Sequence, residues 1–156
     1  TSGTTGAPKA VELTSAAFEA GAAASLQRLG GAAGDRWLAA MPMCHVGGLS
    51  IAVRAALAGM TIVQQDGFDA ARVDRSLRRD GIAFVSLVPT MLARVLDACG
   101  DTPYPSSLKA VVLGGGRLPP ALVARAARIG LPLVATYGMT ETAAMVTTSL
   151  PGDAVC

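Results

Sequence analysis

Short apolar runs alternate along the chain with longer segments in which apolar residues recur at helical spacing. The runs are apolar throughout, which is typical of strands covered on both faces. The predicted strands are residues 10–13, 36–41, 60–64, 82–88, 108–113 and 131–136. The predicted helices are residues 15–29, 49–58, 70–80, 89–99 and 119–129. This alternation predicts an α/β fold with a mostly parallel sheet and helices on both faces.

Capping residues support several of these boundaries. Asp69 can accept a hydrogen bond from a free N–H in the first turn of the helix that follows it. Pro89 and Pro119 open the last two predicted helices, where the N–H that proline lacks has no intrahelical partner.

In parallel sheets covered by helices, ligands bind beyond the carboxyl ends of the strands. The loops that follow the strands are therefore the places to search for a site.

Composition narrows the class of protein. The chain has 156 residues, 51% hydrophobic and 15% charged, which excludes intrinsic disorder. Its apolar runs stop well short of the roughly 20 residues of a membrane-spanning helix, so no membrane span is expected. The net charge of +2, without a basic cluster, gives no indication of nucleic acid as a partner. Three cysteines (Cys44, Cys99, Cys156) without a Cys-x-x-Cys pair, and no secretion signal, predict a cytoplasmic location.

The first nine residues, TSGTTGAPK, combine the features of an anion-binding loop. Glycines let the backbone approach an anion, hydroxyl groups add donors, and Lys9 supplies a positive charge. The spacing differs from that of the P-loop nucleotidases, which excludes that family. The same composition is typical of a flexible linker, so the residue types alone leave both interpretations open. The predicted phosphate-binding residues are Thr1, Ser2, Gly3, Thr4, Thr5, Gly6 and Lys9.

A second candidate segment, YGMTE at residues 137–141, directly follows the last predicted strand. Glu141 is the only acidic residue between Arg128 and Gly152. A carboxylate in this place can hold Mg²⁺ through oxygen, and Thr140 can add a phosphate contact. An isolated glutamate is more often simply solvated, and that alternative stays open for this segment taken alone.

A run of three glycines and a single histidine mark two further loops. Gly114, Gly115 and Gly116 would let a ligand lie against the backbone. Pro119 stands where the dinucleotide fingerprint requires its last glycine, so NAD binding is not supported, and a plain tight turn is the alternative. His45 lies in PMCHVGGLS with no second histidine or carboxylate nearby, which disfavours a metal site or a Ser-His-Asp triad.

In order and spacing, four segments resemble the core motifs of the adenylate-forming superfamily of acyl-CoA synthetases, luciferases and adenylation domains. They are the phosphate loop TSGTTGAPK, the histidine motif PMCHVGGL, the glycine turn GGGRLPPAL and the magnesium and adenine motif YGMTE. Because four matches occur in the order of the family, the linker interpretation of TSGTTGAPK and the surface-turn interpretation of YGMTE are disfavoured. The resemblance implies that residues 1–156 are the central part of an AMP-binding domain, without the small C-terminal domain, and that this piece alone is inactive.

The resemblance also implies roles for the candidate residues. A small-molecule carboxylate reacts with ATP, assisted by Mg²⁺, and the acyl group passes to CoA. His45 lies at the entrance of the acyl pocket, and Glu141 is the metal ligand. The implied catalytic residues are Lys9, His45, Thr140 and Glu141. The implied nucleotide-binding residues beyond the phosphate loop are Gly114, Gly115, Gly116, Tyr137, Gly138, Met139 and Thr140.

Within the superfamily, the chain is most similar to the o-succinylbenzoate:CoA ligases of menaquinone synthesis. The segments that carry this similarity are HVGGLSIAVRAALAGMTIV, FVSLVPTMLARVLD, YPSSLKAVVLGGG and YGMTETA. Ala10 stands where the family usually has glycine, and Ala144 and Met145 stand where more polar residues are expected in that ligase. A fatty acyl- or aryl-CoA ligase, an amino-acid adenylation domain and an inactive, truncated nucleotide-binding fragment therefore stay open. The cations considered for an acidic acyl group are Arg54, Arg94 and Arg117, and the two helical ones, Arg54 and Arg94, are expected to be solvated or structural.

Overall fold

The computed structural model of the protein describes residues 6–100, 102–150 and 153. In that part of the chain, helices alternate with strands from the first helix to the fifth strand. The helices are α1 (Ser15–Leu29), α2 (Val46–Ala58), α3 (Ala70–Arg79), α4 (Pro89–Cys99) and α5 (Pro120–Arg128). The strands are β1 (Arg36–Ala39), β2 (Thr61–Gln64), β3 (Phe84–Leu87), β4 (Ala110–Leu113), β5 (Leu133–Met139) and β6 (Ala144–Thr148), with a 3-10 turn at Thr140–Thr142 before β6.

Short polar side chains and glycine set several helix boundaries. Thr14 Oγ1 accepts a hydrogen bond from the Ala17 N–H at 3.2 Å, and Asp69 Oδ1 accepts one from the Arg72 N–H at 2.6 Å. These caps satisfy N–H groups that have no partner within the helix. Gly30 ends α1 with a φ of 69°, a left-handed conformation that glycine adopts without steric cost.

The six strands form one sheet in the order β2-β1-β3-β4-β5-β6. Strands β1 to β5 are parallel, whereas β6 is antiparallel to β5. Because parallel strands are joined by helical crossovers, the carboxyl ends of all five lie at the same edge of the sheet. The loops that carry His45 and the three glycines therefore meet at that edge.

Two apolar cores sandwich the sheet. The core on one face packs β-strand residues against α3, α4 and α5, through side chains such as Leu77, Leu92 and Leu122. The core on the other face lies under α1 and α2, through Leu29 and Ile51. The predicted α/β class with helices on both faces is confirmed. None of the five described helices combines the length and the apolar character that a membrane crossing requires.

Three predicted elements differ from the structure by three residues or more, and the other boundaries agree within two residues. Residues 10–13 form no strand, because the polar Glu12 interrupts the run and the described sheet offers this segment no pairing partner. Helix α2 begins at Val46 rather than at residue 49, so the two glycines near its start lie inside it. Strand β5 runs on to Met139 because it pairs with β6, which the sequence did not predict.

Candidate active site

A pocket of about 220 Å³ opens at the carboxyl edge of the sheet, on the side covered by α2. Its walls come from the loop and first turns of α2, the end of β3, the loop after β4 and the β5–β6 junction. Most lining side chains are apolar: Met41, Val46, Leu87, Val112, Met139, Ala144 and Met145. The polar side chains are few: His45, Ser50, Arg54, Ser86 and Thr136. An apolar cleft with a few convergent polar groups is typical of a small-molecule site.

The glycine run after β4 turns the chain along one wall of this pocket. Gly115 has a φ of 74°, which side-chain-bearing residues rarely adopt. A Cβ at Gly114 would lie 2.7 Å from Thr136 Oγ1, so a side chain there would displace the Thr136 hydroxyl, which donates to the Leu113 carbonyl at 3.1 Å. Gly116 is less constrained, since its Cβ would only reach ordinary contact with Pro89. The loop thus presents bare backbone to the site.

The junction between β5 and β6 forms another part of the pocket wall through a tight reversal. A Cβ at Gly138 would overlap the carbonyl oxygen of Ala144. Ala143 and Ala144 have φ values of 53° and 101°, left-handed conformations that are strained for alanine and that recur at functional sites. Thr142 holds the turn by accepting the Met139 N–H at 3.1 Å. This turn carries Thr140 and Glu141 beside the pocket.

Arg54 is the charged group of the pocket, and the solvated position considered for it is wrong. Its side chain is only 2% exposed and lines the cleft from the third turn of α2. A sequence signal existed: Arg54 is the single charged residue within the otherwise apolar segment Val46–Ala58. Arg94 and Arg117, the other two cations considered, are exposed, and Arg94 lies over the Phe68 ring at 5.0 Å.

The environment of Arg54 leaves its charge largely uncompensated. Nη2 donates to Ser50 Oγ at 3.0 Å, and the guanidinium lies over the Trp37 ring, 4.5 Å from its centroid. Within the described ranges, Nε has no hydrogen-bond partner and no carboxylate forms an ion pair with Arg54. Burial lowers the pKa of Arg54 from its usual value to about 10, so the group remains charged at neutral pH. A buried cation with a spare donor, lining a cleft, is suited to bind an anion.

The structure brings together some of the predicted site residues. His45, which caps α2 without a side-chain hydrogen bond, lines the pocket together with Gly114, Gly115, Gly138 and Met139. Other predicted residues do not line it: Gly6, Lys9, Gly116, Tyr137, Thr140 and Glu141. Gly6 and Lys9 lie in the exposed segment before α1. Thr1, Ser2, Gly3, Thr4 and Thr5 lie outside the described residues.

The residues near the pocket fit Mg²⁺ and a nucleotide in their donor chemistry. In the described part of the chain, no three His, Cys, Asp or Glu side chains cluster to hold a metal. Exposed Glu141 offers one carboxylate, which suits Mg²⁺ because this ion usually takes one or two carboxylates and completes its shell with phosphate and water. The exposed Tyr137 ring and the open Gly114–Gly116 backbone offer a surface for a planar base.

A parallel sheet with an apolar pocket at its carboxyl edge, an open glycine loop and a rim carboxylate defines an α/β domain built to hold a small ligand. The particular family follows from a comparison of the sequence with family models. The model for the AMP-binding enzymes matches residues 1–155, and the chain belongs to that family.

Among curated relatives, the chain is similar to the 2-succinylbenzoate-CoA ligases of Bacillus mycoides and Bacillus cereus. Each is 43% identical over 148 residues, which cover 95% of this chain and 31% of the relative. The chain therefore spans about a third of the length of these proteins.

Two solved structures show how closely the fold agrees. The O-succinylbenzoate Coenzyme A synthetase from Bacillus subtilis, in complex with ATP and a magnesium ion, superposes with a TM-score of 0.92 at 37% identity. The match covers 99% of this chain and 32% of that one. The inhibitor-bound N-terminal domain of FACL13 from Mycobacterium tuberculosis gives a TM-score of 0.88 at 27% identity, over 99% of this chain and 39% of that one. This chain thus shares its architecture with part of both proteins.

Proposed function

We propose that the protein carrying this chain activates 2-succinylbenzoate with ATP and transfers the acyl group to CoA. The family assignment and the similarity to 2-succinylbenzoate-CoA ligases support this proposal. The observation that carries it is Arg54, a buried and uncompensated cation in an apolar cleft. Because the chain spans 31% of such a relative, the activity is proposed for the whole protein. The cytoplasmic location and the assignment to the central part of the AMP-binding domain stay predictions.

Arg54 favours an acid with two carboxylates over a simple one. 2-Succinylbenzoate has an aromatic and an aliphatic carboxylate, and only one of them can react at a time. In our proposal the aliphatic carboxylate reacts while the aromatic one pairs with Arg54 inside the pocket. A fatty acyl chain would leave the cation desolvated and unpaired, which is costly. The apolar side chains Val46, Leu87 and Val112 suit the ring that joins the two carboxylates.

The reaction has two displacements. An oxygen of the acyl carboxylate attacks the α-phosphorus of ATP, the bond to the bridging oxygen breaks, and pyrophosphate leaves. The sulfur of CoA then attacks the acyl carbon, its proton is released, and AMP leaves with the electrons of the C–O bond. Such transfers are accelerated chiefly by placement and charge neutralisation, so few side chains need to react covalently.

The remaining residues are assigned by the motifs that they occupy. We propose that Ser2, Thr4, Thr5 and Lys9 contact the β- and γ-phosphates and that Thr140 contacts the α-phosphate. Glu141 would hold Mg²⁺, which supplies charge neutralisation at the phosphates when it is bound. Gly114 to Gly116 and Tyr137 would flank the adenine. His45, at the mouth of the pocket, would orient the carboxylate or gate its entry.

The proposal is tested by carboxylate-dependent ATP–pyrophosphate exchange with the full-length protein. The acids compared are 2-succinylbenzoate, a fatty acid, benzoate and an amino acid, and acyl-CoA formation is then followed with and without CoA. We expect exchange with 2-succinylbenzoate and a CoA-dependent product. Exchange with a different acid would retain the adenylating mechanism but refute the proposed substrate, and no exchange with any acid would refute the activity.

A further inference from the structure

Trp37 lies beneath the pocket and contacts two of its polar groups at once. It is fully buried on β1, it is the single tryptophan of the chain, and it does not itself line the cleft. One ring face supports the Arg54 guanidinium at 4.5 Å, and Nε1 donates to Ser86 Oγ at 3.2 Å. We propose that Trp37 is a positioning residue that orients Arg54 and Ser86 for recognition of the second carboxylate.

The ring contact addresses the main problem of Arg54, which is to keep a desolvated charge in one place. In the described ranges, Ser50 Oγ is the one side-chain acceptor that holds the guanidinium, and that hydroxyl in turn donates to the Gly47 carbonyl at 2.9 Å. An aromatic face attracts a cation most strongly where water is excluded, as it is here. Trp37 thereby restrains Arg54 without accepting a hydrogen bond from it, and Nε has no hydrogen-bond partner among the described residues.

The indole N–H has a separate effect on Ser86. Because the indole nitrogen can only donate, Ser86 Oγ must act as the acceptor in this pair. The serine proton is thereby left to donate elsewhere, and Ser86 lines the pocket. The Phe84 ring stacks on Trp37 with centroids 4.9 Å apart, which restrains the indole further. The Trp37 ring thus orients two hydrogen-bond donors, the Arg54 guanidinium and the Ser86 hydroxyl, and an anion site requires such donors.

This inference rests on the proposed function, since the second carboxylate is the group that the two donors would bind. The test compares kcat/KM for 2-succinylbenzoate with kcat/KM for 3-benzoylpropanoate, which lacks the ring carboxylate, in the full-length protein. Trp37→Leu should lower the preference for the dicarboxylate roughly tenfold. The substitution removes both the aromatic face beneath Arg54 and the N–H group that donates to Ser86. Trp37→Phe keeps an aromatic face without the N–H, so it should restore part of the preference.

A matched control separates positioning from general loss of packing. Leu38 is the neighbour of Trp37 on β1, is equally buried, and belongs to the core on the opposite face of the sheet. Leu38→Ala should lower stability through a cavity yet leave the preference ratio unchanged. If the Trp37 variants lower kcat/KM for both acids alike, as a purely structural residue would, the inference is overturned.

Fluorescence gives a readout that needs no substrate. The emission of Trp37 is isolated by subtracting the spectrum of Trp37→Phe from that of the unmodified protein, and the same difference is taken in an Arg54→Met background. A change of the Trp37 emission when Arg54 is replaced supports the contact, and an unchanged emission overturns the inference. If Arg54→Met alters the emission but not the preference between the two acids, the proposed substrate fails while the contact of Trp37 with Arg54 stands.

Discussion

Among the residues that the structure describes, no counter-ion pairs with the buried charge of Arg54, and this unpaired charge distinguishes the pocket. The sequence favours a solvated or structural role for Arg54, because long basic side chains on helices usually reach water. The packing of α2 against the sheet covers this face of the helix and leaves Arg54 2% exposed. Its position as the single charge in α2 was the local signal, and the tertiary packing is what establishes the burial.

Replacing Arg54 should stabilise the protein while it removes the anion site. Burial lowers the pKa of Arg54 to about 10, so the charged form is disfavoured by folding. That cost is fully present below this pKa and is relieved only as the pH rises above it. We expect Arg54→Met to raise the free energy of unfolding by on the order of 1 kcal/mol at pH 7. Urea denaturation of the full-length protein checks this, and a loss of stability would contradict it.

Replacing the exposed ionisable residues of the phosphate and metal motifs should lower the rate of adenylation and leave the stability of the fold unchanged. Glu141→Gln and Lys9→Met are each expected to reduce ATP–pyrophosphate exchange by about 100-fold or more, through lost metal or phosphate stabilisation. Thermal stability should stay unchanged, because both side chains are exposed. Glu19→Gln, an exposed carboxylate on α1, is the matched control and should retain full exchange. Normal rates in either test variant would remove that residue from the mechanism.

The strands β1, β3 and β4 were predictable because their apolar runs are buried on both faces. Strand β6 was not, since its sequence AMVTT is partly exposed and its position depends on pairing with β5. Because of the same pairing, Tyr137 to Met139 belong to strand β5, whereas the sequence predicts a loop there. The glycine loop after β4 could be located from the sequence, whereas the strained reversal at Ala143 and Ala144 could not, because alanine gives no local signal for left-handed backbone.

The β5–β6 reversal should be intolerant of even one added methyl group. Gly138→Ala would place a Cβ on the Ala144 carbonyl oxygen, so we expect a loss of about 2 kcal/mol or more in stability and a distorted pocket wall. Gly21→Ala is the control, because its Cβ would come no closer than 4.0 Å to the nearest atom found and alanine favours the helix. It should keep or raise the melting temperature. Equal stability of the two variants would contradict the geometry of the junction.

The outer surface of α2 and β6 carries large apolar side chains that the described chain leaves uncovered. Leu49, Leu57 and Val146 are 43%, 51% and 56% exposed. The relatives are about three times as long, which is consistent with further structure over this surface in such proteins. We expect the 156-residue chain alone to self-associate, as sedimentation velocity would detect. A monomer that unfolds cooperatively would contradict this expectation.

Selection of an acid by its second carboxylate is the central property that we propose for the pocket. The most direct measurement is ATP–pyrophosphate exchange by the full-length protein and its Arg54→Met variant, with 2-succinylbenzoate and 3-benzoylpropanoate as alternative acids. We predict that the unmodified protein prefers the dicarboxylate by about 100-fold and that the variant loses most of this preference, since a buried charge-assisted pair is removed. An unchanged preference in the variant would contradict the claim.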